Sequence, residues 1–405
     1  MLLTRFIKGG QKMSKKVLSA LLTSAMVASL LVGCGSSEAA APAPAAEETK
    51  TEEAAPAPAA EEEAPAAEEA TAEEVAEVAA NTKVGVSMPT KDLQRWNQDG
   101  SNMEAQLKEA GYEVDLQFAS NDVATQISQI ENMINGGCGV LVVAAIDGES
   151  LGTVLAQAKE AEIPVIAYDR LIMNTDAVSY YATFDNYMVG TKQGEYVKDQ
   201  LDLDNADGPF VVEFTTGDPG DNNAKFFFGG AMDVLKPYID AGKIVVTSGQ
   251  TEFADVATEA WSTDNAQKRA ENILSSFYAD GTNLDAWVCS NDSTALGIAN
   301  ALAANYTGNY PIITGQDCDI ANVKNMIEGK QSMSIFKDTR TLAAQVVKMV
   351  GQILTDSTVD VNDTESYDNG TGIIPSFLCE PVFADANNYK TILIDSGYYT
   401  EDQLK

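Results

Sequence analysis

Ten residues carry side chains suited to grip a polar ring: Arg95, Trp96, Asp147, Asp169, Arg170, Asn223, Trp261, Asn291, Asp317 and Lys337. They lie behind short apolar runs that read as strands. Asp, Asn, Arg and Lys supply paired donors and acceptors to neighbouring hydroxyls. Flat indole rings cover the C–H faces of a pyranose. A buried polar rim of this kind rejects analogues that lack a hydroxyl, because its own groups then go unpaired. Each residue also has a plainer reading. Asp and Asn after strands cap helices, as Asn291 could before Ser293 and Thr294. Asp147 could cap a helix starting near Gly148. A single Trp is more often core, and Asp169-Arg170 alone could be a surface pair. The set, rather than any one member, points to non-covalent capture.

Composition narrows the chemistry further. The chain has 405 residues and no His. That removes Ser-His-Asp triads, Cys-His pairs and His-ligated zinc. The net charge of −34 opposes binding to nucleic acid or to anionic lipid through basic patches. Neither a cofactor nor a metal is expected. Cys138, Cys289, Cys318 and Cys379 form no Cys-x-x-Cys, which argues against thiol redox or zinc sites. Cys138 and Cys289 read as core, while a disulfide at Cys318 stays open outside the cell. The acidic run Asp202–Gly208 departs from calcium-loop spacing and reads as a solvated turn.

The charge is divided along the chain. Residues 1–33 hold five basic residues and no acid. Lys15-Lys16 precede an apolar run, Val17 to Val32, too short for a comfortable membrane span. This is the pattern of an export signal. Met13 could serve as the start as well as Met1. Residues 35–82 hold thirteen Glu against one Lys, no aromatic residue and a near-repeat of Ala-Pro-Ala-Pro-Ala-Ala-Glu-Glu. Such a segment cannot build a core and reads as an extended tether. The remaining −27 belongs to residues 83–405.

Residues 83–405 alternate strand and helix patterns. Strands are expected at 83–88, 112–118, 140–144, 164–167 and 178–184, with helices at 96–110, 123–135 and 149–161. The rhythm resumes with strands at 210–214, 243–247, 285–289, 311–314 and 332–336. Helices are expected at 187–201, 222–235, 264–279, 293–303, 320–328 and 339–355. This predicts an α/β fold of two similar lobes, each a parallel sheet flanked by helices, with ligand in the cleft between them. Ligands in such sheets sit at the carboxyl ends of the strands.

Several segments carry a family resemblance: Arg95-Trp96, Gln129–Met133, Ala167–Arg170, Phe184–Asn186, Asp221–Lys225, Val234–Tyr238, Ser290–Asp292, Gly315–Asp317 and Ile335–Lys337. In that order they resemble the type I periplasmic sugar-binding proteins of ABC transporters, above all the multiple-monosaccharide-binding and D-xylose-binding proteins. The resemblance implies sugar contacts from the ten residues above, with Trp96 and Trp261 stacking and Asp147 the weakest member. Phe228 stands where the xylose binders look to have Arg, which favours broader hexose and pentose binding. Tyr180, Tyr181 and Phe184 are expected at the hinge. Leu31-Val32-Gly33-Cys34 resembles the lipobox of bacterial lipoproteins, which implies cleavage before Cys34 and a lipid anchor on it.

The family also implies that the chain crosses between lobes near 185–186, near 317 and near 360–370. Lobe one would be about 83–185 plus 318–362, and lobe two about 186–317 plus 363–405. The expected protein is a lipid-anchored monomer on the extracytoplasmic face. It captures a monosaccharide of the xylose, glucose, galactose or arabinose class by lobe closure and delivers it to an ABC transporter permease. The alternatives are a sugar-sensing partner for a chemoreceptor or sensor kinase and, less readily, a sugar-modifying enzyme. A DNA-binding repressor would need a helix-turn-helix where the signal and tether stand.

Overall fold

The computed structural model describes residues 82–405. The expected signal, Cys34 and the tether up to Asn81 lie outside the described residues. Among the described residues no helix is long and apolar enough to cross a membrane.

The first half winds β1 (Lys83–Met88), α1 (Gln94–Glu109), β2 (Glu113–Phe118), α2 (Val123–Asn135), β3 (Cys138–Val143), α3 (Gly152–Glu160), β4 (Val165–Tyr168) and β5 (Tyr180–Phe184). The second half follows with α4 (Asn186–Gln200), β6 (Phe210–Thr215), α5 (Asn222–Asp240), β7 (Ile244–Val245), the single turn α6 (Phe253–Val256), α7 (Thr263–Phe277), β8 (Ala286–Cys289), α8 (Asp292–Asn305) and β9 (Ile312–Ile313). Then come α9 (Ile320–Ile327), β10 (Met333–Phe336), α10 (Thr339–Leu354), β11 (Ser376–Cys379), β12 (Val382–Asp385) and a π-helical segment, Lys390–Asp395.

One sheet has the order β11-β5-β4-β3-β1-β2 and the other β7-β6-β8-β9. Every pairing within the two is parallel. Parallel strands covered by helices on both faces must be apolar throughout. β3 meets that demand, with Leu141, Val142 and Val143 fully buried. Its neighbour β1 lies so close that a Cβ at Gly85 would stand 2.8 Å from a Leu141 methyl carbon. α1 turns Trp96, Met103 and Leu107 inward at helical spacing, together with Arg95 and Asp99. The apolar stripe thus orients two charged residues at one end of the helix.

The expected rhythm of strands and helices holds, and the lobe boundaries are corrected. Gln316 forms a parallel bridge with Ile335, and β10 pairs antiparallel with β12. Residues 318–336 therefore extend the second sheet instead of joining lobe one. β11 pairs with β5, so 363–379 lie with lobe one instead of lobe two. The chain crosses at 185–186, at 337–339 and between Cys379 and Val382. The crossings expected near 317 and 360–370 are displaced because distant pairings hold those segments in place. α5 also continues to Asp240 with Pro237 inside it, beyond its expected end at 235.

Leu141→Ala should destabilise the domain by about 2–5 kcal/mol, since a fully buried side chain leaves a cavity in a close-packed sheet. Denaturant unfolding followed by circular dichroism checks this.

Candidate functional site

The strand ends of both lobes converge on one cavity. Its lining includes Arg95, Trp96, Asp169, Arg170, Asp221, Phe227, Trp261, Asn291, Gln316, Asp317, Asp319 and Lys337. The cavity is partly open, and the space within it that a water centre can reach is about 30 Å³. Arg95, Asp169, Arg170, Asn291, Asp317 and Lys337 are all buried, so the lobes are drawn together over charged groups.

Arg95 is the hub. Its Nε donates to Asp99 Oδ2 at 2.5 Å, Nη1 to Asp317 Oδ1 at 2.8 Å and Nη2 to Asp169 Oδ2 at 2.8 Å. Asp99 and Asp169 belong to lobe one and Asp317 to lobe two. Burial works against the guanidinium's charge, and the three carboxylates outweigh it, raising its pKa well above the ordinary value. Lys337, at the second crossing, lies 3.6 Å from Asp169 and 3.5 Å from Asp317. Burial also opposes ionisation of Asp169, but Lys337, Arg95 and Arg170 together hold its pKa down at about 2. For Asp99 burial wins over its ion pair with Arg95, and its pKa rises to about 6. Tyr168 donates its hydroxyl to the other oxygen of Asp99.

Backbone geometry aims these groups. Asp169, Trp261 and Asp317 have φ of 58°, 54° and 98°. Side chains rarely accept that left-handed region, at a cost of about 1–3 kcal/mol each. The Asp169 carbonyl is fixed by three donors: the Tyr181 hydroxyl at 2.6 Å, the Thr183 hydroxyl at 2.9 Å and Asn223 Nδ2 at 2.6 Å. The last of these reaches across from α5.

Capping and cavity lining are combined in two residues. Asp221 Oδ1 accepts from Asn223 N at 3.0 Å at the start of α5. Its Oδ2 takes Trp261 Nε1 at 3.1 Å and lies 2.9 Å from Arg170 Nε. Arg170 Nε makes no well-directed hydrogen bond, so that contact is an ion pair alone. Asn291 Oδ1 caps α8 through Thr294 N at 3.0 Å, and Nδ2 donates to Ser293 Oγ at 2.8 Å. The Arg170 guanidinium sits 4.9 Å from the centre of the Trp96 ring, a cation–π distance. Trp261 leans on Gly217, where a Cβ would fall 2.0 Å from the indole.

Eight of the ten sequence-selected residues line the cavity. Asn223 is not among the lining residues: its Nδ2 donates to the Asp169 carbonyl at 2.6 Å, behind the Asp169 carboxylate that the cavity presents. Asp147 is not brought to it: its Oδ1 accepts from Glu149 N at 2.8 Å and Ser150 Oγ at 2.9 Å, a local cap. Phe228 packs edge-on against Phe214 and Phe253 in the second lobe's core and is not among the residues lining the cavity. Asp99 and Asp319 were missed, whereas Asp221 and Gln316 stand in segments that carry the family resemblance without having been selected as contacts. The four-residue spacing from Arg95 to Asp99 was the available signal for the first. The described cysteines are all buried and free.

Two indole rings and a rim of fixed charged and amide groups can hold a neutral, polyhydroxylated ring. The pattern of a periplasmic binding protein domain matches residues 84–358. The chain belongs to the periplasmic binding protein family. It is 48% identical over 326 residues to the multiple sugar-binding periplasmic receptor ChvE of Rhizobium radiobacter, covering 80% of this chain and 92% of that protein. It is 37% identical over 330 residues to the D-xylose-binding periplasmic protein of Escherichia coli, covering 82% and 94%. Among solved structures, an ABC transporter solute-binding protein from Clostridium phytofermentans with bound β-D-glucose is 74% identical, with a TM-score of 0.80, covering 80% of this chain and 100% of that one. The two-lobed α/β architecture is that of the type I members of the family.

The titration of Asp319 gives a prediction. Burial and Asp317 raise its pKa to about 7 against an opposing pull from Arg95. A carboxyl whose pKa is raised on folding stabilises the fold fully below its unfolded pKa and loses that contribution as pH rises through the folded value. Unfolding free energy should therefore decline between about pH 4 and 7 through this group, and Asp319→Asn should flatten that decline in urea titrations across the range.

Proposed function

We propose that this protein is an extracytoplasmic solute-binding lipoprotein, anchored through Cys34, that captures a monosaccharide and presents it to an ABC transporter permease. The ligand is an aldose of the glucose, galactose, xylose or arabinose class. The observation that carries this reading is the cavity: two indoles, Trp96 and Trp261, in one buried space with Arg95, Asp169, Arg170, Asn291, Asp317 and Lys337 drawn from both lobes. The relatives named for sugars and the glucose-bound structure support it.

Mechanism follows from the spacing. Lys337 lies at 3.5 and 3.6 Å from two carboxylates, longer than a good hydrogen bond. A sugar's hydroxyls enter between these groups and exchange loose ion pairs for directed hydrogen bonds. Entry requires the lobes to part, because Arg95, Asp169, Asp317 and Lys337 are buried and already paired with one another across the cleft. A ligand that touches both lobes binds the closed form better and so shifts the population towards closure. The permease then reads the closed surface. No bond in the sugar is broken: Arg95 and Lys337 keep Asp169 ionised as an acceptor, which unsuits it as a general acid.

Calorimetric titration with glucose, galactose, xylose, arabinose and ribose tests the proposal. Saturable 1:1 binding of at least one of the first four is expected, and no binding to any of the five removes the proposal. Asp169→Ala should weaken that binding by about 2–5 kcal/mol, since it leaves Arg95 and Lys337 short of a buried partner. Unchanged affinity takes Asp169 out of the site.

A further inference from the structure

One tyrosine joins the two lobes from outside the cavity. Tyr399 is 4% exposed and packs in a second-lobe cluster with Cys318, Met326 and Leu393. It is not among the residues lining the cavity. Its hydroxyl donates to the Cys318 carbonyl at 2.9 Å. The same oxygen accepts from Gln94 Nε2 at 2.7 Å and from Gln98 Nε2 at 3.0 Å. Both glutamines belong to α1 of lobe one. One donation and two acceptances use the whole capacity of a hydroxyl oxygen. Gln94 also crosses a second time. Its Oε1 accepts from Ile320 N at 3.2 Å, at the start of α9, where Asp319 makes no side-chain cap.

These contacts surround the ion pair that spans the cleft. Gln94 precedes Arg95, and Gln98 lies one helical turn beyond Gln94. Cys318 follows Asp317, and Ile320 stands close behind it. The Arg95–Asp317 pair at 2.8 Å and the Tyr399 junction therefore join the same two segments. They form and break together as the lobes close and part. The neighbouring Tyr398 holds a different place. Its hydroxyl lies 3.1 Å from Thr339 Oγ1, and the Arg340 guanidinium sits 4.9 Å from its ring centre. Both partners stand at the second crossing, where lobe motion is smallest. The two tyrosine rings pack edge to face at 4.8 Å. Tyr398 thus fixes its neighbour from the hinge, and Tyr399 reaches the segments that move.

We infer that Tyr399 is a positioning residue for sugar capture: its hydroxyl, with Gln94 and Gln98, fastens the closed form and holds Arg95 against Asp317 without touching the ligand. This rests on the sugar-binding reading above. In the open form water serves the same polar groups, so the junction stabilises closure and leaves the open form unaffected.

Tyr399→Phe in the full-length chain tests it, because the change keeps the ring and removes the hydroxyl. Calorimetry and stopped-flow fluorescence of the cavity tryptophans measure D-glucose binding. Affinity should fall about tenfold, chiefly through faster dissociation. The urea midpoint of the unliganded chain should stay unchanged. Gln98→Leu alone should weaken glucose about threefold. In the Tyr399→Phe background it should add no further loss, since the hydroxyl it serves is gone. Unchanged glucose affinity in Tyr399→Phe overturns the inference. So does a fall in the unliganded midpoint, which marks a contact kept in the open form, and so does full additivity of the two variants. If Tyr399→Phe fails to fold, Gln98→Leu decides: weaker glucose at an unchanged midpoint supports the junction, and unchanged affinity overturns it. A wild type that binds no aldose removes the proposed function itself, a result distinct from wild type and Tyr399→Phe binding glucose equally.

Discussion

The structure depends on how a buried guanidinium is neutralised. Arg95 meets carboxylates on all three of its nitrogens, at 2.5, 2.8 and 2.8 Å. Removing one partner of a buried pair typically costs about 3–5 kcal/mol, because the other charge stays buried and unpaired. Asp99 comes from the same helix, Asp169 from the end of β4 and Asp317 from the opposite lobe. A single side chain therefore requires α1, the first sheet and the second sheet to meet at one place. Tyr168 secures Asp99 from behind, and Lys337 supplies the second positive charge that Asp169 and Asp317 share.

The backbone is bent to serve that meeting. Asp169, Trp261 and Asp317 all adopt left-handed conformations, which a fold retains only where surrounding contacts overdetermine them. Three donors on the Asp169 carbonyl provide such overdetermination, and one of them, Asn223, belongs to the other lobe. Lys337 stands where the chain passes from β10 to α10, so a change in lobe angle moves its ammonium relative to both carboxylates. Cleft chemistry and hinge geometry are thereby coupled through the same few residues.

Much of this was legible in the sequence. Apolar strands alternating with periodic helices gave the two parallel sheets, since burial on both faces leaves a strong pattern. The strand-end residues gave most of the cavity, because carboxyl ends of parallel strands converge in this architecture. What failed was non-local or local in the wrong sense. β11 and β12 are four residues each, set off by Pro375 and Pro381, and their pairings depend on partners nearly two hundred and about fifty residues away. The bridge from Gln316 to Ile335 moved a crossing by some twenty residues without any local sign. Asp147 has the same type and position as the other strand-end acids, but a turn absorbs its side chain. Gln316 precedes Asp317 in a resemblance segment and Asp319 lies two residues beyond it, yet neither was selected, because an unsatisfied atom is visible only in three dimensions.

The account's central claim is that a sugar joins the two lobes by inserting into the charge cluster around Arg95 and Lys337. Small-angle X-ray scattering of the chain with and without saturating D-glucose addresses this directly. The account predicts a smaller radius of gyration with glucose, and no change when Asp169→Ala is treated alike. An identical scattering profile for the wild type with and without glucose, under conditions where calorimetry shows the sugar bound, would contradict it.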